Sequence, residues 1–397
     1  MTSMSIGIAG AGIGGLAAAA ALSSDGHSVS IFDQFDTPKP VGSGLVIQPV
    51  GQAVLDLIAA GGIAHAHGQK VSHMLGHTQS GKTILDVTYD RSGRGARYGL
   101  AIHRAALFHA VLTAAQAAGA KLMQGHRVSH VTEAPNRKLI FADGSSSAPF
   151  DLVIDATGAT SPLSPLQARA LPFGAIWGTV DWPKGAPFPN TQLSQRYRSA
   201  KNMIGVLPIG RLPGETTAKA AIFWSLPQGS LEDWHLQPLE KWKENASALW
   251  PEFRVFLKGF TDHDQMTAAF YSHGTLRRPV ARAMVHIGDA AHRASPQLGQ
   301  GANMALLDAW ALVIALRNSD DLPDALAGYH QIRRRHLWLY QLTSAVFTPL
   351  YQSDSRILPV LRDHILTPLS RLPPVPAFLS KLVCGDLISP IKGVVFK

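Results

Sequence analysis

Cysteine is almost missing: Cys384 is the only one in 397 residues. A disulfide framework within the chain is excluded, and this usage fits a reducing compartment, hence an expected cytoplasmic location. Charge is also sparse, with 16% Asp, Glu, Lys and Arg against 46% hydrophobic residues. That balance speaks against disorder and permits a large core. Long apolar runs are missing too. The best candidate, "GIAGAGIGGLAAAAAL" (Gly7 to Leu22), has 16 residues. A span needs about 20, and this run is crowded with glycine, so no stable membrane insertion is expected. No basic n-region precedes the first strand-like stretch, which speaks against a cleavable signal. There is no H-E-x-x-H and no G-x-S-x-G. His65, His67, His73 and His77 have metal-like spacings without the partners a metal site needs, so no metal is expected. Neither a repeat of 20–50 residues nor a low-complexity tract is visible. The net charge is +9, but no dense basic run interleaved with aromatics occurs. The tightest cluster, Arg333-Arg334-Arg335, falls in a helical stretch. Nucleic acid is therefore not an expected partner, and the positive balance suits anionic cofactors and substrates.

The chain is long enough for two to three domains at about 150 residues each. Residues 4–33 read strand, Gly-rich turn, helix, strand. Residues 48–60 look helical and 69–90 look like a hairpin. "RAALFHAVLTAAQAAG" (Arg104 to Gly119) reads as a helix stopped by Gly119. Residues 120–155 alternate like strands, with "ADG" (Ala142 to Gly144) as a hairpin turn. From 170 to 275 the texture changes to aromatics, prolines and strands such as "AIFWSL" (Ala221 to Leu226), a second domain that is mostly sheet. Strand, turn and helix return over 284–330, and 331–397 is helical and punctuated by proline.

Two phosphate motifs compete. "GHTQSGKT" (Gly76 to Thr83) matches the P-loop string, but that loop needs a helix beginning at its Lys-Thr. The alternating, β-branched "ILDVTYD" follows instead, so the string reads as a hairpin turn. In "IGIAGAGIGGLAAAAALSSDGHSVSIFD" the context is right for Gly10-x-Gly12-x-x-Gly15. An apolar strand precedes, an Ala-rich helix follows, and a second strand ends at Asp33. Gly10 permits the tight turn, Gly12 lets backbone approach a pyrophosphate, and Gly15 lets helix and strand pack closely. The helix end around Ile13 and Gly14 offers free N–H groups and a positive dipole. Asp33 would accept from ribose hydroxyls. This motif does not separate NAD from FAD.

A third stretch, "GDAAHRASPQLGQGANMALLDAW" (Gly288 to Trp310), sets an acid, a proline and two glycines between a strand and a long apolar helix. Taken in order, the N-terminal G-x-G-x-x-G, an Arg at 104 and "GDAAH…P…GQGAN" resemble the single-component FAD-dependent aromatic hydroxylases, the flavoprotein monooxygenases similar to p-hydroxybenzoate and salicylate hydroxylases. By motif the resemblance covers about 1–165 and 275–330. It implies that Gly10, Gly12, Gly15 and Asp33 hold the ADP half of FAD. "GSGL" (Gly42 to Leu45, with Gly44) would lie beside the flavin, Arg104 would reach the FAD linker, and Asp289 would bind the ribityl chain. Pro296 would stand at the flavin's reactive edge. Gly299 and Gly301 would bring backbone to the ring, with Ala302 and Asn303 in the first turn of the following helix. The family's Asp-Gly-x-x-Ser-x-x-Arg motif is altered here to "DATGATSPLS" (Asp155 to Ser164). Thr157 and Ser164 replace its Asp and Arg, which puts the NAD(P)H contact in doubt.

The resemblance implies an α/β fold: a Rossmann-like FAD-binding domain (1–165 and 276–330), an inserted mainly β substrate domain (166–275) and a C-terminal helical segment (331–397). It implies a monooxygenase in which NADH or NADPH reduces FAD, dioxygen adds at the flavin C4a, and the hydroperoxide oxidises a small aromatic substrate, an acidic one being favoured by the basic charge balance. In "FGAIWGTVDW" (Phe173 to Trp182), Phe173, Ala175 and Trp177 share one strand face. Trp177, Phe223, Pro296 and Gln48 are the expected pocket residues, although plain core packing also explains the aromatics. His273, and with it Tyr271, is the candidate for a catalytic base. The alternatives are another flavoenzyme on this scaffold, a halogenase or a reductase, or a non-catalytic flavin-binding protein. A halogenase would carry W-x-W-x-I-P, which is missing. A monomer or homodimer is expected, and the amphipathic Leu342–Leu366 could cap the pocket, pair with a partner or simply pack.

Overall fold

The apolar stretch Ser5–Ala9 is a strand buried along nearly its whole length. The computed structural model, which describes residues 2–36, 43–93 and 95–391, sets it inside a six-stranded sheet. Ser28–Phe32 and Leu152–Asp155 flank it in parallel, with Lys121–Met123 and Met284–His286 beyond them and Val280–Ala281 as an antiparallel edge. Parallel strands need cover on both faces. The helix Ile13–Ser24 supplies one, buried from Gly15 to Leu22 between the sheet and the helices Arg104–Ala117 and Gly301–Arg317. A helix that is apolar all round belongs in a core, and small residues let its neighbours close in: a Cβ on Gly14 would lie 3.1 Å from that of Ala305. The run Gly7–Leu22 is thus strand, turn and core helix. Among the described residues no helix is long and apolar enough to cross a membrane.

An eight-stranded sheet forms the second layer. Its order is His292–Arg293, Met266–Thr275, Arg169–Asp181, Lys219–Pro227, Asn202–Pro208, Gln192–Arg198, His73–Thr78, Thr83–Thr88. Strand alternation splits its faces. Ile176, Val180, Ile222 and Trp224 pack under helices between Leu231 and Leu257, against Trp234, Trp242 and Phe256. Trp177, Ala221 and Phe223 lie on the opposite face, in the cluster that also holds Val46, Ala101 and Cys384. The helical cover within 231–257 is an addition to the sheet expected there. The hairpin 73–88 forms as read, but it pairs parallel to Gln192–Arg198 and so extends this second sheet rather than the first domain. Its turn, with Gly81 at φ +89°, sits in the P-loop-like string, and strand continues on both sides. No helix N-terminus is there to cradle phosphate.

The helix Leu322–Tyr351 runs across residue 330, so the C-terminal segment has no boundary there. What fastens it is a buried acid. Asp308, one carboxylate in an apolar helix, accepts from Gly288 N (3.0 Å), His292 Nε2 (2.6 Å) and Arg333 Nε (2.8 Å). Arg333 also donates to Pro390 O (3.1 Å), and His336 Nε2 donates to Gly385 O (2.8 Å). Beside them Cys384 is fully buried, its thiol pushed up to about 12 by burial.

Burial would raise the Asp308 carboxyl, but the His292 and Arg333 charges outweigh it and hold it at about 2. Breaking such a buried pair by removing one charge costs about 3–5 kcal/mol. Asp308→Asn should therefore lower Tm sharply, read by calorimetry. His336 is held at about 3, by burial first and Arg333 second. Unfolding returns the imidazole to about 6.5, so the unfolded chain binds the extra proton and stability drains as pH falls from 6.5 toward 3. Between pH 7 and pH 5 the loss from this group should be about 2 kcal/mol. His336→Gln should flatten that part of the Tm–pH curve, and an unchanged slope would contradict the assignment.

Candidate functional site

The first strand ends in the tight turn the glycines predict. Gly10 has φ +99° and donates to Phe32 O at 2.8 Å. A Cβ on Gly15 would lie 2.1 Å from Gly10 O, so this glycine serves close packing, whereas one on Gly12 would meet nothing within 4 Å among the described residues and would project into the cleft. Asp33 pins the turn: its carboxylate accepts from Ala11 N (2.8 Å) and Phe35 N (3.0 Å). Each oxygen keeps capacity for a further donor.

The second turn joins the strand Met284–His286 to the helix Gly301–Arg317. Gly288 (φ +57°) and Gly299 (φ +61°) both need the left-handed region. Ser295 caps the short turn Pro296–Leu298 and donates its N–H to His273 Nε2 at 2.9 Å. The helices Ile13–Ser24 and Gly301–Arg317 begin alike. Neither has a side chain capping its N-terminus, and neither carries an acid in its first turn. Their first-turn N–H groups are left for an outside acceptor, and anions are the natural choice.

Both N-termini open on one cleft of about 960 Å3, at the upper end of the range for ligand sites. Its walls include Gly10, Gly12, Ile13, Gly14, Asp33, Arg104, Asp289, Gly301 and Ala302, which the fold gathers from four separate parts of the chain. Phe35, His126 and Arg127 close the Asp33 end. Sequence reasoning did not select these three.

Other expected residues stand elsewhere. Gly44 faces the second sheet, where a Cβ would lie 2.3 Å from Ile209; Gly42 of the same stretch lies outside the described residues. The Asn303 side chain is fully buried and committed to protein. It accepts from Gln48 N (2.8 Å) and donates to Gly299 O (2.9 Å) and Val46 O (3.3 Å), so only its backbone remains for a ligand. His273 uses Nε2 to accept from Ser295, and burial, then Arg169, lowers its pKa. That geometry makes it a support for the Pro296 loop rather than a base with a free lone pair. In "DATGATSPLS", Asp155 accepts from Thr157 Oγ1 (2.6 Å), Ser161 Oγ (2.7 Å) and His286 Nδ1 (2.7 Å). Ser164, in place of the family's Arg, donates to Ala290 O at 2.5 Å. The altered motif ties its loop to the "GDAAH" turn.

Trp177 and Phe223 pack on each other with ring centroids 4.7 Å apart. Trp177 Nε1 donates to Tyr271 Oη at 2.9 Å, and burial raises the Tyr271 phenol to about 12, so it stays protonated. Pro296 is exposed at the tip of its turn. Around Gly299 sit amides with buried atoms that find no partner among the described residues: Gln48 Oε1, Gln297 Nε2, and both Oε1 and Nε2 of Gln300. Each such atom costs about 1–3 kcal/mol if left unmet. A side-chain-free cradle, two uncapped helix ends and a fringe of unmet amides fit a large anionic dinucleotide that ends in a ring edged by N–H and C=O groups.

Comparison with known proteins agrees with this geometry. Residues 238–341 match the FAD binding domain family, and residues 8–38 match a NAD(P)-binding Rossmann-like domain. A probable 2-heptyl-3-hydroxy-4(1H)-quinolone synthase of Rhodococcus erythropolis is 27% identical over 94% of this chain and 93% of its own. An FAD-dependent urate hydroxylase of Klebsiella pneumoniae is 25% identical (82% and 85%), and a 6-hydroxynicotinate 3-monooxygenase of Pseudomonas fluorescens 26% (79% and 82%). Among solved structures, a Klebsiella pneumoniae protein complexed with FAD and uric acid superposes with a TM-score of 0.80 at 20% identity, covering 96% of this chain and 97% of that one. A 2-methyl-3-hydroxypyridine-5-carboxylic acid oxygenase follows at 0.77 and 18%, covering 94% and 99%. At these identities the structures speak to the fold.

Gly12 and Gly15 separate ligand binding from folding. Gly12→Ala should leave the apoprotein's Tm within about 0.5 kcal/mol-equivalent of the parent while weakening FAD retention at least about tenfold, since the new methyl enters the cleft where only backbone leaves room for a pyrophosphate. Gly15→Ala should lower Tm even without FAD. Equal FAD retention in Gly12→Ala and the parent, read by visible absorbance after gel filtration, would move the dinucleotide out of this cleft.

Proposed function

We propose that the chain is a single-component FAD-dependent aromatic hydroxylase, as its matched domains and relatives support, and that its substrate is a small N-heteroaromatic ring held between the Pro296 loop and the Trp177–Phe223 face. The observation that carries this reading is the convergence of the two uncapped helix ends, Asp33, Arg104 and Asp289 on one cleft. The Gly10–Gly15 turn and Asp33 would hold the ADP half. Arg104 would meet the linker, Asp289 the ribityl hydroxyls, and the backbone from Gly299 to Asn303 the ring edge. Bound FAD supplies the redox chemistry, taking electrons from NADH or NADPH and activating dioxygen toward an aromatic carbon.

The protein's own part is positioning, water exclusion and proton control. Tyr271, protonated and already accepting from Trp177, has its own O–H left to orient a ring nitrogen or carbonyl. The unmet amides of Gln48 and Gln300 offer donors and acceptors of the kind a lactam or diazine edge satisfies. The names of the relatives, urate, hydroxynicotinate and quinolone, point to the same ring class. The net charge of +9 favours substrates that carry a carboxylate or an ionised hydroxyl. The buried, protonated thiol of Cys384 is in keeping with a cytoplasmic enzyme.

Aerobic NADH and NADPH oxidation by the yellow protein tests this across phenols, aromatic carboxylates and N-heteroaromatics, with peroxide measured in the same samples. N-heteroaromatics should accelerate oxidation at least about tenfold with little peroxide. Trp177→Phe, which deprives Tyr271 of its donor, should raise KM several-fold and shift product toward peroxide. Acceleration only by phenols would overturn the ring class. No reduction by either coenzyme would trace to the altered "DATGATSPLS" loop and require a separate reductase.

A further inference from the structure

Exposed apolar side chains are unevenly spread. Ten of the seventeen large ones exposed among the described residues lie between Trp338 and Phe378. On the helix Leu322–Tyr351, Trp338, Leu342 and Val346 follow at four-residue spacing, which is one face of a helix. All three are exposed, at 64%, 46% and 57%. The neighbouring segments form a connected layer with it. Tyr340 Oη donates to Leu382 O (3.1 Å) at one end, and Arg362 Nη1 donates to Leu350 O (2.9 Å) at the other. Between those ties Ile357, Val360 and Leu369 are exposed as well.

The charge of this layer has one sign. Arg334, Arg335, Arg356, Arg371 and Lys381 are exposed, and none has an anionic partner among the described residues. The only acids between Arg334 and Lys381 are Asp354, bound to Lys201, and Asp363, bound to Arg362. An apolar face edged by uncompensated cations has a defined complement: an apolar phase with an anionic surface. Pairing with a second copy would place the same uncompensated cations on both sides of the interface, without acids to meet them.

We propose that the outer face of the Trp338–Phe378 layer docks peripherally on an anionic lipid surface. The helices lie in the interface and do not span, consistent with their lengths and the lack of an apolar spanning segment among the described residues. The position has a functional sense. The inner face of the same turns carries Ser344, whose Oγ contacts Ser295 O and His273 Nε2 (3.4 Å each). The Pro296 loop therefore sits one helix diameter, about 10 Å, behind the docking face, close to any aromatic that partitions into lipid. The docking face itself does not depend on the hydroxylase reading.

Co-sedimentation of the FAD-loaded full chain with vesicles tests it, comparing phosphatidylcholine alone with phosphatidylcholine containing phosphatidylglycerol. Sedimentation velocity without lipid gives the mass. Most of the protein should pellet with phosphatidylglycerol vesicles at low salt, several-fold less with neutral ones, and less again as salt rises. L342D/V346D should cut the bound fraction at least tenfold. R334E/R335E, which alters only exposed charges, should do the same for the salt-sensitive part even if the first variant folds poorly. Flavin content and Tm monitor folding. Failure to pellet with either vesicle overturns the proposal. So does a lipid-free dimer that L342D/V346D dissociates while vesicles capture nothing, which would give the face to a second copy.

Discussion

A single carboxylate in an apolar helix holds the cleft-bearing half of this molecule together. Asp308 takes the N–H of Gly288, the imidazole of His292 and the guanidinium of Arg333. Those three groups belong to the turn that bears Asp289, to the strand that leaves it, and to the long C-terminal helix. A buried charge is tolerable only when its lone pairs are met, so the position of each of these elements is a condition of the others. The cleft's second wall thus inherits its geometry from a carboxylate that does not itself line the cleft.

Asp155 plays a parallel part on the first wall. It gathers Thr157, Ser161 and His286, while Ser164 reaches across to Ala290. Two buried acids therefore brace the "GDAAH" turn and the strand that leads into it. The replaced Thr157 and Ser164 are small hydroxyl residues that complete this brace, so the loop keeps its shape without the acid and the cation of the family pattern.

Much of the fold was legible because the signals were local. Gly10-x-Gly12-x-x-Gly15 between an apolar strand and an Ala-rich helix dictates a turn whose steric reasons the backbone bears out, and "ILDVTYD" after the P-loop-like string dictated a strand. Period-two patterning placed Trp177 on its face. What escaped was non-local. Nothing near Gln192–Arg198 announces that its neighbour is the hairpin 73–88 from more than a hundred residues earlier, and the Trp-bearing helices after Leu231 were hidden by the aromatic texture of the strands around them. At the site, Asn303 was read as ligand-facing from its place in a motif and His273 as a candidate base, yet their hydrogen-bond capacity goes to Gln48, Gly299 and Ser295. Asp308 could have been found: it is the only acid in "GANMALLDAWALVIALR", and an isolated acid in a buried stripe must have a partner. Arg333 could not, since the triplet Arg333–Arg335 gives no sign that one guanidinium turns inward while its neighbours face solvent.

Cys384 carries a consequence of a different kind. The chain's one thiol is sealed beneath Tyr89, with its proton held far above neutral pH. Thiol reagents act on the thiolate, so the native surface is chemically silent toward maleimides and methanethiosulfonates. A cysteine introduced at any exposed position becomes the sole reactive handle, and the protein is ready for spin labels, fluorophores or cross-linkers without first having its own sulfur removed.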